Sequence, residues 1–193
     1  SSLDIISNHE AEEAMKNGVL LRRSDGMVPK SVLFVQCAGS RDPDHLPYCS
    51  SICCGTSLKQ AKIIREQHPE TSVFLIYKDI RMPGMLEQYY KEVQKDSRIF
   101  LTKGIVEKVV VSEKQLSVEV SESLIDEDIS IPVDMVILAT GMVPNDSKEL
   151  NLAYRQGPGL PEVKYEFSDS RFICFPYETR RTEIYAAGAM RAP

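Results

Sequence analysis

No apolar run in this 193-residue sequence approaches the roughly 20 residues a membrane-spanning helix needs. The opening stretch, SSLDIISNHEAEEAMKNG, has neither the basic start nor the apolar core of a secretory signal. Any membrane association is therefore expected to come through partners. Basic residues are not in excess: 23 Lys and Arg against 28 Asp and Glu give a net charge of −5, which argues against a dedicated nucleic-acid surface. With only three histidines, no Ser/His/Asp set or carboxylate pair suggests acid–base or nucleophilic catalysis. There are no internal repeats and no low-complexity tracts. The glycine-rich dinucleotide fingerprint is missing too. The turn after the first buried strand reads CAGSRD, with Gly39 its one glycine, where G-x-G-x-x-G would let a pyrophosphate approach.

What is present is an ordinary globular composition, 42% hydrophobic and 26% charged, with material for one large domain or two small ones. HEAEEAMKN predicts a short helix ending at Gly18. SVLFVQ (31–36) and SVFLIYKDI (72–80) are continuous apolar runs of the kind found in strands buried on both faces. SLKQAKIIREQ lies between them at helical spacing and ends at Pro69, so this region predicts a βαβ unit with parallel strands. A second helix is expected over MLEQYYKEVQKD and a short strand over RIFLTKG. An antiparallel hairpin follows around Glu113–Lys114, with the acidic EVSESLIDED as a solvated hairpin tip. VDMVILATGMVPN predicts another buried strand, residues 147–181 a loop-rich stretch, and EIYAAG a last strand.

Four of the five cysteines, Cys37, Cys49, Cys53 and Cys54, fall within eighteen residues in the pattern C-x11-C-x3-C-C. Bunched cysteines without a secretory signal point to a reducing compartment, hence the cytoplasm. Cys37 is expected at the carboxyl end of the first buried strand and the other three around the start of the next helix. Open α/β folds bind their ligands at this edge, and a helix N-terminus there favours thiolates. An iron–sulfur cluster fits four convergent thiolates best. Zinc, usually held by C-x2–4-C pairs, a redox disulfide and unliganded core cysteines stay open on spacing alone. Cys174 reads as a buried thiol, His45 as a solvent or partner contact, and Arg41 as a salt-bridge or capping residue. Arg81, in DIRMPG, reads as surface charge, or as a cation tuning the centre.

FVQCAGSRD, HLPYCSSICCGTSLKQA, YKDIRMPGMLEQYY and VDMVILATGMVPN together resemble the flavoprotein component of heterodisulfide reductase, its A subunit. They look closest to its relative in the quinone-interacting membrane-bound oxidoreductase complex of sulfate reducers. The resemblance implies an α/β fold: a Rossmann-like βαβ domain of the thioredoxin-reductase-like FAD/NAD(P) type, with part of the flanking FAD domain. It implies a [4Fe–4S] cluster on Cys37, Cys49, Cys53 and Cys54, FAD in the full-length protein, and flavin contacts at Gly141, Gly188 and Ala189. Partners would be other subunits of a redox complex, including a membrane quinone-reacting component. Where such flavoproteins read A-x-G-D, this sequence reads AAGAM, so the fragment alone is not expected to hold flavin firmly.

The expected organisation is a connecting segment over 1–29 from a missing FAD-domain half, a Rossmann-like domain over 30–146, and a truncated FAD-domain return over 147–193. The expected function is electron relay through the cluster between flavin and partner subunits. The alternatives are an NAD(P)H-dependent thiol–disulfide oxidoreductase using Cys49, Cys53 and Cys54, or a zinc-stabilised interaction module.

Overall fold

The computed structural model describes residues 2–112, 115–123, 127–145, 164–167, 170–171, 175–179 and 183–190. The chain divides into two compact units, Ser1–Gly141 and Met142–Pro193. The division falls five residues before the expected boundary at 146.

The first unit is a seven-stranded sheet in the order β1-β7-β2-β3-β4-β5-β6. Its strands are β1 (Ile5–Ser7), β2 (Ser31–Val35), β3 (Ser72–Tyr77), β4 (Ile99–Val111), β5 (Leu116–Glu122), β6 (Glu127–Val133) and β7 (Met135–Leu138). β1, β7, β2, β3 and the first part of β4 are parallel, and β4, β5 and β6 form an antiparallel meander. Three helices complete it: α1 (Asn8–Lys16), α2 (Cys53–Gln67) and α3 (Leu86–Val93).

The apolar runs are continuous because the parallel strands bury both faces. On one face Val32, Phe34, Val73, Leu75, Met135 and Ile137 pack with Leu58, Ala61 and Ile64 of α2, Ala11 and Met15 of α1, and Val93 of α3. On the other, Leu33, Val35, Ile76 and Val136 pack with Leu116, Val118, Val120 and Val133 of the meander. Full burial of a side chain such as Phe34 contributes about 1.5–3 kcal/mol by transfer alone.

Residues 1–29, expected as a connecting segment, are part of this unit. Ile5–Ser7 pair in parallel with Val136–Leu138. α1 starts at a capping box in which Ser7 and Glu10 satisfy each other's backbone N–H groups. It packs on α2 through a buried polar layer. Asn8 Nδ2 donates to Gln60 Oε1 (2.8 Å), and Gln60 Nε2 returns a bond to Asn8 O (2.9 Å). A three-residue strand is too short to leave a periodic signal in sequence.

RIFLTKG and the first arm of the hairpin are one strand, β4, which leaves β3 and continues against β5. Gly104 makes the transfer possible: a Cβ there would lie 2.7 Å from Ser121 O. The antiparallel hairpin expected around Glu113–Lys114 is present as Val111 opposite Leu116, with the tip itself outside the described residues.

In the second unit, β8 (Ser170–Arg171) pairs antiparallel with β9 (Phe175–Thr179). The expected strand in EIYAAG is reduced to an isolated bridge between Glu178 and Tyr185. Ala186, Ala187 and Gly188 bring little side chain to a pleated surface, and a 3-10 turn takes over at Gly188–Met190. Cys174 and most of the 147–181 stretch lie outside the described residues.

Candidate functional site at the carboxyl edge of the sheet

Three strand ends build the site. β2 runs into Cys37, β3 into Asp79–Arg81 and β7 into Gly141. β2 lies between β7 on one side and β3 on the other, so their carboxyl ends, the edge where open α/β sheets bind ligands, are adjacent.

The segment between Cys37 and α2 is tied down by its own backbone. Leu46 N–H donates to Gly39 O (3.0 Å), Asp42 N–H to Leu46 O (3.1 Å) and Arg41 N–H to Tyr48 O (3.0 Å). Three of its non-glycine residues hold left-handed backbone: Cys37 at φ 56°, Arg41 at 57° and Ser51 at 56°. Each such residue costs of order 1–3 kcal/mol, which the surrounding packing must hold in place. β7 closes on this loop. Gly141, at φ 91°, approaches so closely that a Cβ would lie 2.1 Å from Ser40 Oγ and 2.8 Å from Ser50 Oγ.

The four thiols of the loop are free. Two of them meet a backbone N–H: Ser51 N–H reaches Cys49 Sγ at 3.4 Å and Arg81 N–H reaches Cys54 Sγ at 3.5 Å. These donors come from the loop and from the exit of β3. The first turn of α2, which carries Cys53 and Cys54, has no side-chain cap.

Burial holds the Cys53 thiol up at about 11, with the Cys37, Cys54 and Cys49 sulfurs adding to the rise. Burial likewise raises Cys37, opposed by Arg41, with Cys49 adding to the rise. Burial raises Cys54, opposed by the Arg81 N–H. The four sulfurs therefore lie close enough to repel one another's charge, and protonated thiols are favoured where no cationic centre offsets that repulsion. Among the described residues, no three His, Cys, Asp or Glu side chains converge on a point suited to a single metal ion.

The expected site residues fall in different places. Cys37, Cys49, Cys53 and Cys54 come together. Gly141 joins them, its backbone closing on Ser40 and Ser50 of the same loop. Gly188 and Ala189 lie in the second unit, in the turn Gly188–Met190. His45 is exposed at the outer part of the loop. Arg41 pairs with Asp79 at 2.9 Å, and Asp79 also faces Lys103 at 3.9 Å. The Arg81 side chain is exposed, and its backbone rather than its charge bonds Cys54. Gln36, not singled out from sequence, is also at this edge, almost fully buried; a polar residue closing an apolar strand run was its one signal. A groove of about 480 Å³ lined by Ile52, Gly55, Lys59, Arg81, Met82 and Leu86 runs alongside.

No family model matches the sequence. The chain is 35% identical over 180 residues to an iron–sulfur A subunit of CoB–CoM heterodisulfide reductase from Methanopyrus kandleri, covering 91% of this chain and 27% of that protein. It is 38% identical over 177 residues to the corresponding iron–sulfur protein of Methanocaldococcus jannaschii, covering 90% and 27%. With the A subunit of the ferredoxin:CoB–CoM heterodisulfide reductase of Methanosarcina acetivorans it shares 37% over 172 residues, covering 86% and 21%. The chain thus spans about a quarter of the length of these relatives. Among solved structures, thioredoxin reductase from T. acidophilum aligns with all of this chain and 51% of its own length, at a TM-score of 0.56 and 15% identity. Lactococcus lactis thioredoxin reductase aligns with 99% of this chain and 54% of its own length, at 0.51 and 14%. These likenesses show an α/β fold of the FAD/NAD(P) Rossmann type, and the three relatives from methanogens are all oxidoreductase subunits. Over the segment it shares with them, the chain belongs to the family of heterodisulfide reductase A subunits.

Proposed function

We propose that this chain is the cluster-bearing segment of an electron-transfer oxidoreductase subunit, with Cys37, Cys49, Cys53 and Cys54 as the ligands of a [4Fe–4S] cluster. One observation carries the reading: four free thiols from one loop and the first turn of α2, two of them with backbone N–H donors, at the carboxyl edge of the sheet. A two-cysteine disulfide uses half of that set, and adjacent Cys53 and Cys54 depart from the paired C-x2–4-C spacing usual for structural zinc. When bound, the cluster supplies one-electron storage at the protein edge. The chain's own residues do the rest. The thiols, once deprotonated, bind iron. The Ser51 and Arg81 backbone N–H groups, on Cys49 and Cys54, spread the negative charge of those sulfurs and influence the ease of reduction. Asp79 holds the Arg41 guanidinium, whose charge opposes the rise at Cys37.

In this reading electrons pass between a flavin carried by the longer protein and partner subunits, among them a quinone-reacting membrane component. The whole assembly faces the cytoplasm. Among the described residues no helix is long and apolar enough to cross a membrane, which supports attachment through such a partner. Gly188 and Ala189 are the proposed flavin contacts, residues 1–29 the return from a preceding FAD-domain half, and 147–193 the re-entry into it. Gly141 is assigned to the thiol site.

The test is iron and acid-labile sulfide per chain after anaerobic purification, beside Cys53→Ser. The expected result is about four of each in the parent and a clear loss in the variant. Neither element in the parent, even after anaerobic reconstitution, would refute the assignment and return the four thiols to dithiol chemistry.

A further inference from the structure

Gln36 directly follows β2, its backbone N–H donating to Ile76 O at 2.9 Å. Continuing the alternation of β2 by one step places it on the face of Val32 and Phe34. That face packs against Leu58, Ala61 and Ile64 of α2. α2 runs back over β2 to reach the start of β3, so the helical turn above the carboxyl end of β2 is its first, the one carrying Cys53 and Cys54. Gln36 is 5% exposed. Among the described residues, neither its Nε2 nor its Oε1 has a hydrogen-bond partner.

Gln60 shows what the same fold does with a structural amide. It is 0% exposed, and its Nε2 donates to Asn8 O and Glu12 Oε2 while its Oε1 accepts from Asn8. A buried amide left unpaired is destabilising, and a leucine would fill the space at position 36 without that penalty. Such a group calls for a partner that the described residues do not supply.

We infer that Gln36 is a positioning residue for the thiolate-bound centre, its amide N–H donating to that centre from beneath the first turn of α2 and raising its potential. The inference rests on the cluster reading above. A donor stabilises the more negative, reduced state more than the oxidised one, so its removal makes reduction harder.

The experiment uses Gln36→Leu and Gln36→Met in the anaerobically purified chain, with three readouts: iron and sulfide content, midpoint potential, and Tm of the metal-free protein. The expected result is parental iron content, a potential shifted to more negative values, and a metal-free Tm about 2–4 °C higher because the unpaired polar atoms are gone. Iron lost from both variants while the metal-free Tm holds or rises also supports a residue that serves the centre. An unchanged or more positive potential at full loading overturns the inference, as does a metal-free Tm lowered in both variants. A parent that binds no iron fails the cluster reading itself, and this inference with it, before any variant is compared.

Discussion

At the amino ends of β2 and β3 the chain is pinned by paired groups. Asp134 Oδ2 accepts from Lys30 N–H (2.6 Å) and Ser31 N–H (3.2 Å), while its Oδ1 accepts from Arg22 (3.3 Å). Thr71 Oγ1 donates to Pro29 O at 2.7 Å, and Arg65 holds Asp96 while its guanidinium also reaches Pro69 O and Thr71 O. At the carboxyl ends of the same strands the inventory is reversed. Left-handed Cys37, Arg41 and Ser51 gather there, with thiols whose pKa burial raises and, among the described residues, an unpaired Gln36 amide and an unpaired Arg41 Nη1. One edge is organised for stability. The other carries strain and unmet polar demand, as sites organised around a bound group do.

The sharpest way to break this contrast is Gly141→Ala. The new Cβ must displace Ser40 Oγ from a backbone already at φ 91°, so stability should fall by about 2–5 kcal/mol in denaturant titration. Iron binding should fall with it, because the cysteine loop that carries Ser40 and Ser50 must shift. Retained stability with full iron content would show that the β7 exit is not part of the site.

Asp134→Ala probes the opposite edge. It strips acceptors from two backbone N–H groups and from Arg22, and should cost about 1–3 kcal/mol. Iron content should be unchanged in whatever fraction stays folded. A loss of iron per folded chain would mean the two edges are coupled.

The smallest effect is expected at the α1 cap. The Ser7 backbone N–H, Arg23 and the Ser7 hydroxyl hold the Glu10 carboxyl down at about 2. A lowered carboxylate pKa adds stability above its unfolded value, near 4.5, and loses it as pH falls toward 2. Glu10 is more than a third exposed and its Arg23 pair is screened, so the contribution stays below about 1 kcal/mol. Glu10→Gln keeps a capping-box side chain but removes the charge. Its unfolding midpoint should therefore change less than the parent's between pH 4.5 and 2. Identical acid profiles would remove Glu10 as the cause.

Legibility in sequence divided along similar lines. β2, β3 and β7 could be read because both of their faces are buried, which leaves unbroken apolar runs. α2 and α3 could be read from helical spacing, and the thiol set from its bunching. β6 could not: it opens on Glu127 and Asp128 and contains Pro132, a pattern tolerated here because it is the outer strand of the meander. Arg41 was expected to form a salt bridge and does. The roles of Gly141 and of the Arg81 backbone were out of reach, because both are backbone contacts that no side-chain type announces. Gln36 lay hidden for a related reason: its identity shows, but its lack of partners exists only once the strand and helix have closed over it.

The position of β7 has a consequence for how the protein is made. It is the last strand of the sheet in sequence yet pairs between β1 and β2, joining Asp134 to Ser31 across 103 residues. Pairings over such separations form slowly, because loop closure must precede the contacts that reward it. On a growing chain all four cysteines are exposed well before the strand that brings Gly141. The loop therefore waits, its thiols made first, and its packing against Gly141 is completed only after β7 has slotted into the sheet.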